Sequence, residues 1–338
     1  MVRHFASNAI TLLIVAMTLV GGIIAWGASE MTSPGDFVED AIFEVRKGDK
    51  FQAVSERLAE SGLISDARIF RISARYSGDD GRLKFGEYKV PAYSSMNEVL
   101  ALVTSGKALA YQVTIPEGLT SWQIVQRLNE EPLLTGEILD KDIPPEGSLA
   151  PNTYSISKGD DRQQLLRRMT LAQHQILTEA WELRAEGLPL ASPDEALILA
   201  SIIEKETGEK AERKIVSSVF INRLNLGMRL QTDPTVIYGV TKGKGTLGRG
   251  LRLSELRTKT EYNTYVIEGL PPTPIANPGR AAIEAALNPD STDYIFFVAD
   301  GTGGHAFAIT IGDHNRNVKA WRKIEAQRRA EKAAAQGE

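Results

Sequence analysis

Apolar positions are spread along the chain in three patterns, and the first is a continuous run. No side chain from Phe5 to Ser29 is charged, and Ala9–Trp26 is apolar almost throughout. At about 1.5 Å per residue the run crosses a hydrocarbon layer of about 30 Å, whereas a core helix of that length usually carries a polar face. It predicts an anchor over 9–28, with 1–8 before it and a linker over 29–40. Arg3 and the amino terminus flank one side; Glu30, Asp36, Glu39 and Asp40 flank the other. The positive-inside rule then keeps 1–8 in the cytoplasm and exports the chain beyond the anchor. A cleavable signal peptide cut near Ala25-Trp26-Gly27 competes with this reading; the length of the run favours a retained, single-pass anchor.

The second pattern is a short strand start, aromatic-x-Val, then a turn and an amphipathic helix. It occurs at Phe43-Glu44-Val45, Tyr88-Lys89-Val90 and Tyr111-Gln112-Val113. Helical spacing comes next in each copy, at Phe51, Val54 and Leu58, at Met96, Val99 and Val103, and at Trp122, Val125 and Leu128. Units this small bury no face alone and must pack together. They read either as parts of an ordinary α+β domain or as a wall-binding, LysM-like region over 41–130. Residues 131–155, rich in Pro, Gly and acidic side chains, read as a connection.

The third pattern is helical periodicity further on. Leu165, Leu166, Met169, Ile176 and Trp181 predict a helix within 163–188. The next helix opens at Ser192-Pro193-Asp194-Glu195, a cap, a proline suited to the first turn and a capping-box glutamate. Its body is apolar nearly all round, so it lies mid-domain, and Gly208 stops it. Residues three, four and seven before Glu206 are Ile203, Ile202 and Leu199, so Glu206 leaves the buried stripe, while Glu204 lies about 200° away around the axis. Burial and the negative end of the helix dipole both raise the pKa of Glu206, which suits a general acid. The alternative is a structural glutamate paired with Arg213 or Arg223. Glu204 reads as structural.

After a helix over 210–226 comes Gln231-Thr232-Asp233-Pro234. The residue before a proline is biased towards extended backbone, so these polar side chains read as a sugar-binding strand beside the acid, or as a turn with local hydrogen bonds. The prolines of Gly269–Ile275 give a rigid loop. Tyr294–Val298 and His305–Ile311 predict a hairpin. His305 and His314 are possible ligand contacts.

Composition narrows the chemistry. The 338 residues carry 39 Lys and Arg against 43 Asp and Glu, a net charge of −4, so no basic field exists to hold a nucleic acid. Cysteine is absent, which removes disulfides, thiolate nucleophiles and zinc ribbons. Four scattered histidines offer no short-range metal motif, and nucleotide-binding and serine-hydrolase signatures are missing.

Several blocks together resemble the YceG-like (MltG) endolytic murein transglycosylases. They are Ala200-Ser-Ile-Ile-Glu-Lys-Glu-Thr207, Val219-Phe-Ile-Asn-Arg-Leu224, Gly227–Gly239, Tyr262-Asn-Thr-Tyr265, Gly269-Leu-Pro-Pro272 and Gly303-Gly-His-x-Phe307. The resemblance implies internal cleavage of peptidoglycan glycan strands between N-acetylmuramic acid and N-acetylglucosamine, leaving a 1,6-anhydro end. It also implies action as a terminator of strand growth beside peptidoglycan synthases at the inner membrane, with the catalytic domain on the periplasmic side. The catalytic glutamate of Glu-x-Glu-Thr corresponds to Glu206. Gln231, Thr232, Asp233, Asn263 and Tyr265 are the candidate substrate-binding residues, with no metal and no organic cofactor. The expected fold is α+β: a transmembrane helix, a LysM-like α/β subdomain, and an α+β catalytic domain over 156–322 built on a central catalytic helix, with a charged tail over 323–338. The chain departs from the family at Ala150, at Asn152, at Lys259-Thr-Glu261 and across Thr241–Arg252. Two rivals stand beside this reading. One is a muramidase that uses Glu206 and Asp233 as a carboxylate pair with water as nucleophile; the other is an inert wall-binding scaffold.

Overall fold

A computed structural model describes residues 2–335, with side chains placed for 10–331. The ends of the expected cytoplasmic segment and of the charged tail, Met1 and Gln336–Glu338, lie outside the described residues, as does the Arg3 side chain. The chain divides into two units, one formed by residues up to Gln112 with Ser155–Asp160, the other by Val113–Tyr154 and residues from Asp161 onward.

The smaller unit begins with α1 (Val2–Thr32). Its segment Ile10–Thr32 is long and apolar enough to cross a membrane, and none of it is buried by protein in its most apolar window. The helix continues past the predicted end of the anchor, and Met31 is buried with the core of this unit. Then come β1 (Ala41–Val45), α2 (Phe51–Glu60), α3 (Ala67–Ser77), β2 (Gly86–Val90) and α4 (Met96–Ser105). β1 and β2 pair antiparallel with Ala41 opposite Val90 and Val45 opposite Gly86. Alternation puts Phe43, Val45, Tyr88 and Val90 on one face, against Val54, Leu58, Phe70, Val99 and Val103. Two strand–turn–helix repeats are therefore present as read, and α3, which lacks that signature, completes their core.

The third repeat divides: β3 (Tyr111–Thr114) begins in the smaller unit, while its last residues and α5 (Ser121–Glu130) belong to the larger one. Short strands β4 (Leu134–Thr135), β5 (Thr153–Ile156) and β6 (Asp160–Asp161) lead to α6 (Arg162–Glu182) and α7 (Pro193–Glu206). Next are α8 (Arg213–Asn225), α9 (Asp233–Thr241), α10 (Leu253–Arg257), α11 (Arg280–Leu287), the hairpin β7 (Phe296–Ala299) and β8 (His305–Ala308), and α12 (Ile311–Ala335). Among the described residues every sheet is two-stranded, so the α+β fold rests mainly on helix packing.

α7 is the centre of this unit. Ser192 caps it, accepting from Glu195 N–H at 3.3 Å, while Glu195 returns its carboxylate to Ala191 N–H at 2.7 Å, one residue short of a reciprocal box. Leu199, Ala200, Ile202 and Ile203 are fully buried against α8 and α11 residues such as Val216, Phe220, Ile283 and Ala286. The proline-rich loop is stitched to this core: Ile275 N–H donates to Ser201 Oγ (3.0 Å), and Asn277 N–H donates to Leu119 O (2.8 Å).

One element differs from the sequence expectation. Residues 231–233 do not form an extended strand. Gln231 takes a left-handed φ of 53°, Thr232 is extended, and Asp233 opens α9. Pro234 sits in the first helical turn, where no backbone N–H is needed, so proline starts the helix here instead of prolonging a strand.

Candidate active site

α7 ends in Glu204-Lys205-Glu206, and the two glutamates leave the axis in different directions. Glu204 turns into the domain. Its Oε2 accepts from Gly279 N–H at 3.0 Å and its Oε1 faces Arg213 Nη2 at 3.5 Å; Arg213 also meets Glu117 at 3.3 Å. Its side chain is 5% exposed and that of Arg213 is 8% exposed. A Cβ at Gly279 would fall 1.9 Å from Glu117 Oε1, so a larger residue there would push the Glu117 side chain aside. Burial raises the Glu204 pKa, and the Gly279 N–H and Arg213 pull it back. This is charge matched to charge, as expected of a structural residue.

Glu206 is different. Arg213 is occupied as described, and Arg223 directs its guanidinium to the carbonyls of Ile295 (2.7 Å), Leu230 (2.8 Å) and Arg229 (3.2 Å), over the ring of Phe296. The alternative of a structural Glu206–arginine pair is therefore not realised: among the described residues Glu206 has no ion pair, and its hydrogen-bond donor is the hydroxyl of Thr232. Thr232 is itself fixed. Its N–H donates to Thr264 Oγ1 (3.0 Å), Thr235 Oγ1 donates to its carbonyl (2.8 Å), and the Thr235 and Thr264 hydroxyls lie 2.9 Å apart. All three threonines are buried.

Burial is the main force on the Glu206 carboxyl and pushes its pKa up. The Thr232 hydroxyl opposes this, the negative charge of Asp233 adds to it, and His305 and Arg223 oppose it more weakly. A carboxyl held by a neutral hydroxyl beside an acid keeps its proton to higher pH than one held by a cation.

Glu206 opens onto a cavity of about 470 Å³, with Arg223, Gln231, Asp233, Tyr265, the β7–β8 hairpin and the start of α12 as walls. Tyr265 donates its hydroxyl to Asp233 Oδ1 at 2.6 Å, and burial followed by that bond raises the phenol. His305 lines the cavity with its ring fixed: Nδ1 lies 2.7 Å from Glu212 Oε2, and the His305 backbone N–H donates to Glu212 Oε1 at 3.0 Å. His314 stacks on Phe296 with ring centroids 5.1 Å apart, and burial, then Arg223, lowers its pKa. Both histidines thus lie in the cavity wall. Among the described residues no group of His, Asp and Glu converges to hold a metal ion.

Of the residues expected to bind substrate, Gln231, Asp233 and Tyr265 share the cavity with Glu206. Thr232 lies beside it with its hydroxyl engaged by Glu206. Asn263 stands apart. It is 1% exposed, its Nδ2 reaches the carbonyls of Thr258 (2.8 Å), Glu255 (3.1 Å) and Leu256 (3.1 Å), and its Oδ1 accepts from Tyr265 N–H (3.0 Å). With its amide committed to backbone, Asn263 shapes the loop that carries Tyr265 and does not face the cavity. Sequence reasoning missed Thr264 and Glu212, since a lone hydroxyl or carboxylate carries no spacing that predicts a partner so far along the chain, and Thr235, whose local bond to the Thr232 carbonyl follows from the start of α9.

Comparison with known proteins supplies a context for this geometry. The family described as YceG-like matches residues 43–320. The chain is 29% identical over 328 residues to the endolytic murein transglycosylase of Bacillus subtilis (strain 168), covering 88% of this chain and 89% of that protein. It is 29% identical over 321 residues to the endolytic murein transglycosylase of Streptococcus pneumoniae (strain D39), covering 81% of this chain and 57% of that one. A crystal structure of a yceG-like protein from Listeria monocytogenes superposes with a TM-score of 0.48 at 30% identity, covering 82% of this chain and 99% of that chain.

Proposed function

The chain belongs to the YceG-like family, and from that premise we propose that it is a membrane-anchored lytic transglycosylase that cuts peptidoglycan glycan strands internally. The observation that carries the proposal is the state of Glu206: a desolvated carboxyl with no cationic partner among the described residues, held by Thr232 at the wall of a cavity that also contains Asp233 and Tyr265. Glu206 in its neutral form gives its proton to the glycosidic oxygen as the bond to C1 of the muramyl sugar breaks through an oxocarbenium-like state. The resulting carboxylate takes the proton from the C6 hydroxyl of the same sugar, and O6 closes onto C1. The C1–O bond electrons leave with the departing sugar and an O6 lone pair replaces them, while Glu206 regains its proton. One residue thus serves as acid and then as base. Asp233 and Tyr265 present a hydrogen-bonded pair to the sugar, and His305, aimed by Glu212, presents its other ring nitrogen.

The anchor α1 holds the enzyme at the inner membrane with the chain beyond it on the periplasmic side, where it ends growing strands beside peptidoglycan synthases. The paired strands and helices of the smaller unit serve as a LysM-like wall-binding region. Asp233, one oxygen of which is taken by Tyr265, leaves the muramidase reading as the rival of the same chemical class. Digestion of peptidoglycan by the full chain in detergent separates the readings by mass spectrometry. Transglycosylation gives anhydro ends, lighter by one water than the reducing ends of hydrolysis, and a scaffold gives neither. Reducing ends as the main product would overturn the proposal.

A further inference from the structure

A second cavity, of about 400 Å³, lies in the same unit as the first and shares no lining residue with it. Its walls include Lys205 and Pro234, the chain neighbours of Glu206 and Asp233. Successive helical residues project about 100° apart, so the end of α7 and the first turn of α9 form a partition between the two cavities.

The second cavity differs in charge from the first. No carboxylate is among the lining residues, while Lys205 and Arg249 are. Arg249 is matched by Glu255, at 2.5 and 2.9 Å. Lys205 makes no ion pair among the described residues, although its charge lowers the pKa of the nearby Glu204; its ammonium donates to Gly118 O at 3.1 Å, which leaves donors for a ligand. Facing it is the glycine-rich turn within Thr241–Arg252, where the family resemblance fades. The backbone N–H groups of Gly245, Thr246, Leu247 and Gly248 meet no protein acceptor among the described residues. Tyr238 adds an aromatic wall, its hydroxyl directed to Glu146 at 3.2 Å. An aromatic face, an ammonium with donors to spare and open backbone donors suit an anionic saccharide.

We propose that this cavity receives an adjoining muramyl residue of the glycan strand, with a carboxylate of its side arm bound by Lys205 and the turn: the lactyl carboxylate itself in a peptide-free strand, or a carboxylate of the peptide where the lactyl carboxyl is an amide. The proposal rests on the reading that the chain cleaves peptidoglycan. It makes recognition of the strand depend on acidic side arms as well as on the sugar at Glu206.

The test is binding of three strand preparations to the full chain in detergent, carrying Glu206→Gln so that cutting is negligible while binding is read. The first bears peptides, the second is stripped by an amidase to free lactyl carboxylates, and the third is stripped and then converted to neutral amides. The first two are expected to bind about fivefold more tightly than the third, the size of one exposed charge pair. Lys205→Gln brings that ratio towards one, and Lys205→Arg restores it. Equal binding of all three preparations, or a Lys205→Gln loss that is the same for all three, overturns the proposal. A parallel digestion with unmodified protein separates the two levels. Anhydro ends with a ratio of one remove only the second site, whereas absence of anhydro ends from every preparation removes the underlying reading.

Discussion

The last turn of α7 carries two glutamates with opposite fates. On one side Glu204, Arg213, Glu117 and the Gly279 N–H close a network in which each charge has a counter-charge or a donor. On the other, Glu206 has no ion pair among the described residues: it meets a threonine hydroxyl and an acidic neighbour at the wall of an open cavity, with His305 and Arg223 acting on it more weakly. Burial raises both carboxyls, so desolvation alone does not separate structure from chemistry. The kind of partner does. A cation favours proton loss and fixes the side chain; a neutral hydroxyl leaves the proton available for transfer.

The most severe break in this comparison is Glu206→Gln. It is expected to lower release of anhydro ends by about 10³-fold, the scale of a lost general acid–base, as read by mass spectrometry of full-chain digests. The same change should leave the fold intact and stabilise it above acidic pH. The native pKa of Glu206 lies above its unfolded value, so the native state holds the extra proton, and stability from this group declines as pH rises from about 4.5 through the raised pKa. The gain in Tm from the amide should therefore grow over that window and vanish below it.

Glu204→Ala should do the reverse. It strands a buried guanidinium with only Glu117 beside it, at a cost of about 3 kcal/mol, visible as a lower urea midpoint. If Glu204→Ala unfolds no more easily than Glu206→Gln, the two sides are not distinct.

Thr232→Val sharpens the comparison at a smaller scale. Its hydroxyl favours the Glu206 carboxylate, so its loss raises that pKa further. The alkaline limb of the rate profile should move to higher pH, with kcat reduced about tenfold through poorer placement of the acid. Tyr265→Phe is milder, an increase in KM of about fivefold from one lost hydrogen bond to Asp233, with the alkaline limb shifting little.

The helix that bears Glu206, its cap, its apolar body and the different directions of its two glutamates were all legible in the sequence, because each arises from spacing within one element. The hairpin that carries His305 was legible for the same reason. The surroundings of Glu206 were not. Thr232 was expected to meet a sugar, but its hydroxyl turns to Glu206 because Thr264, brought in from elsewhere, and Thr235, one helical turn on, hold its backbone. Asn263 was expected in the groove, but three carbonyls in and just after α10 claim its amide. The strand expected at 231–233 rested on the pre-proline bias, which yields where proline falls in the first turn of a helix. Local periodicity fixes what an element buries; which polar side chains meet across elements depends on tertiary approach.

Titration of the Glu206 carboxyl carbon by NMR in the selectively labelled full chain, alongside the rate of anhydro-end release, tests the central claim most directly. A midpoint clearly above 4.5, with the rate falling through that same midpoint as pH rises, is the predicted result. A midpoint at 4.5, or a rate that ignores the titration of this carboxyl, would contradict the account.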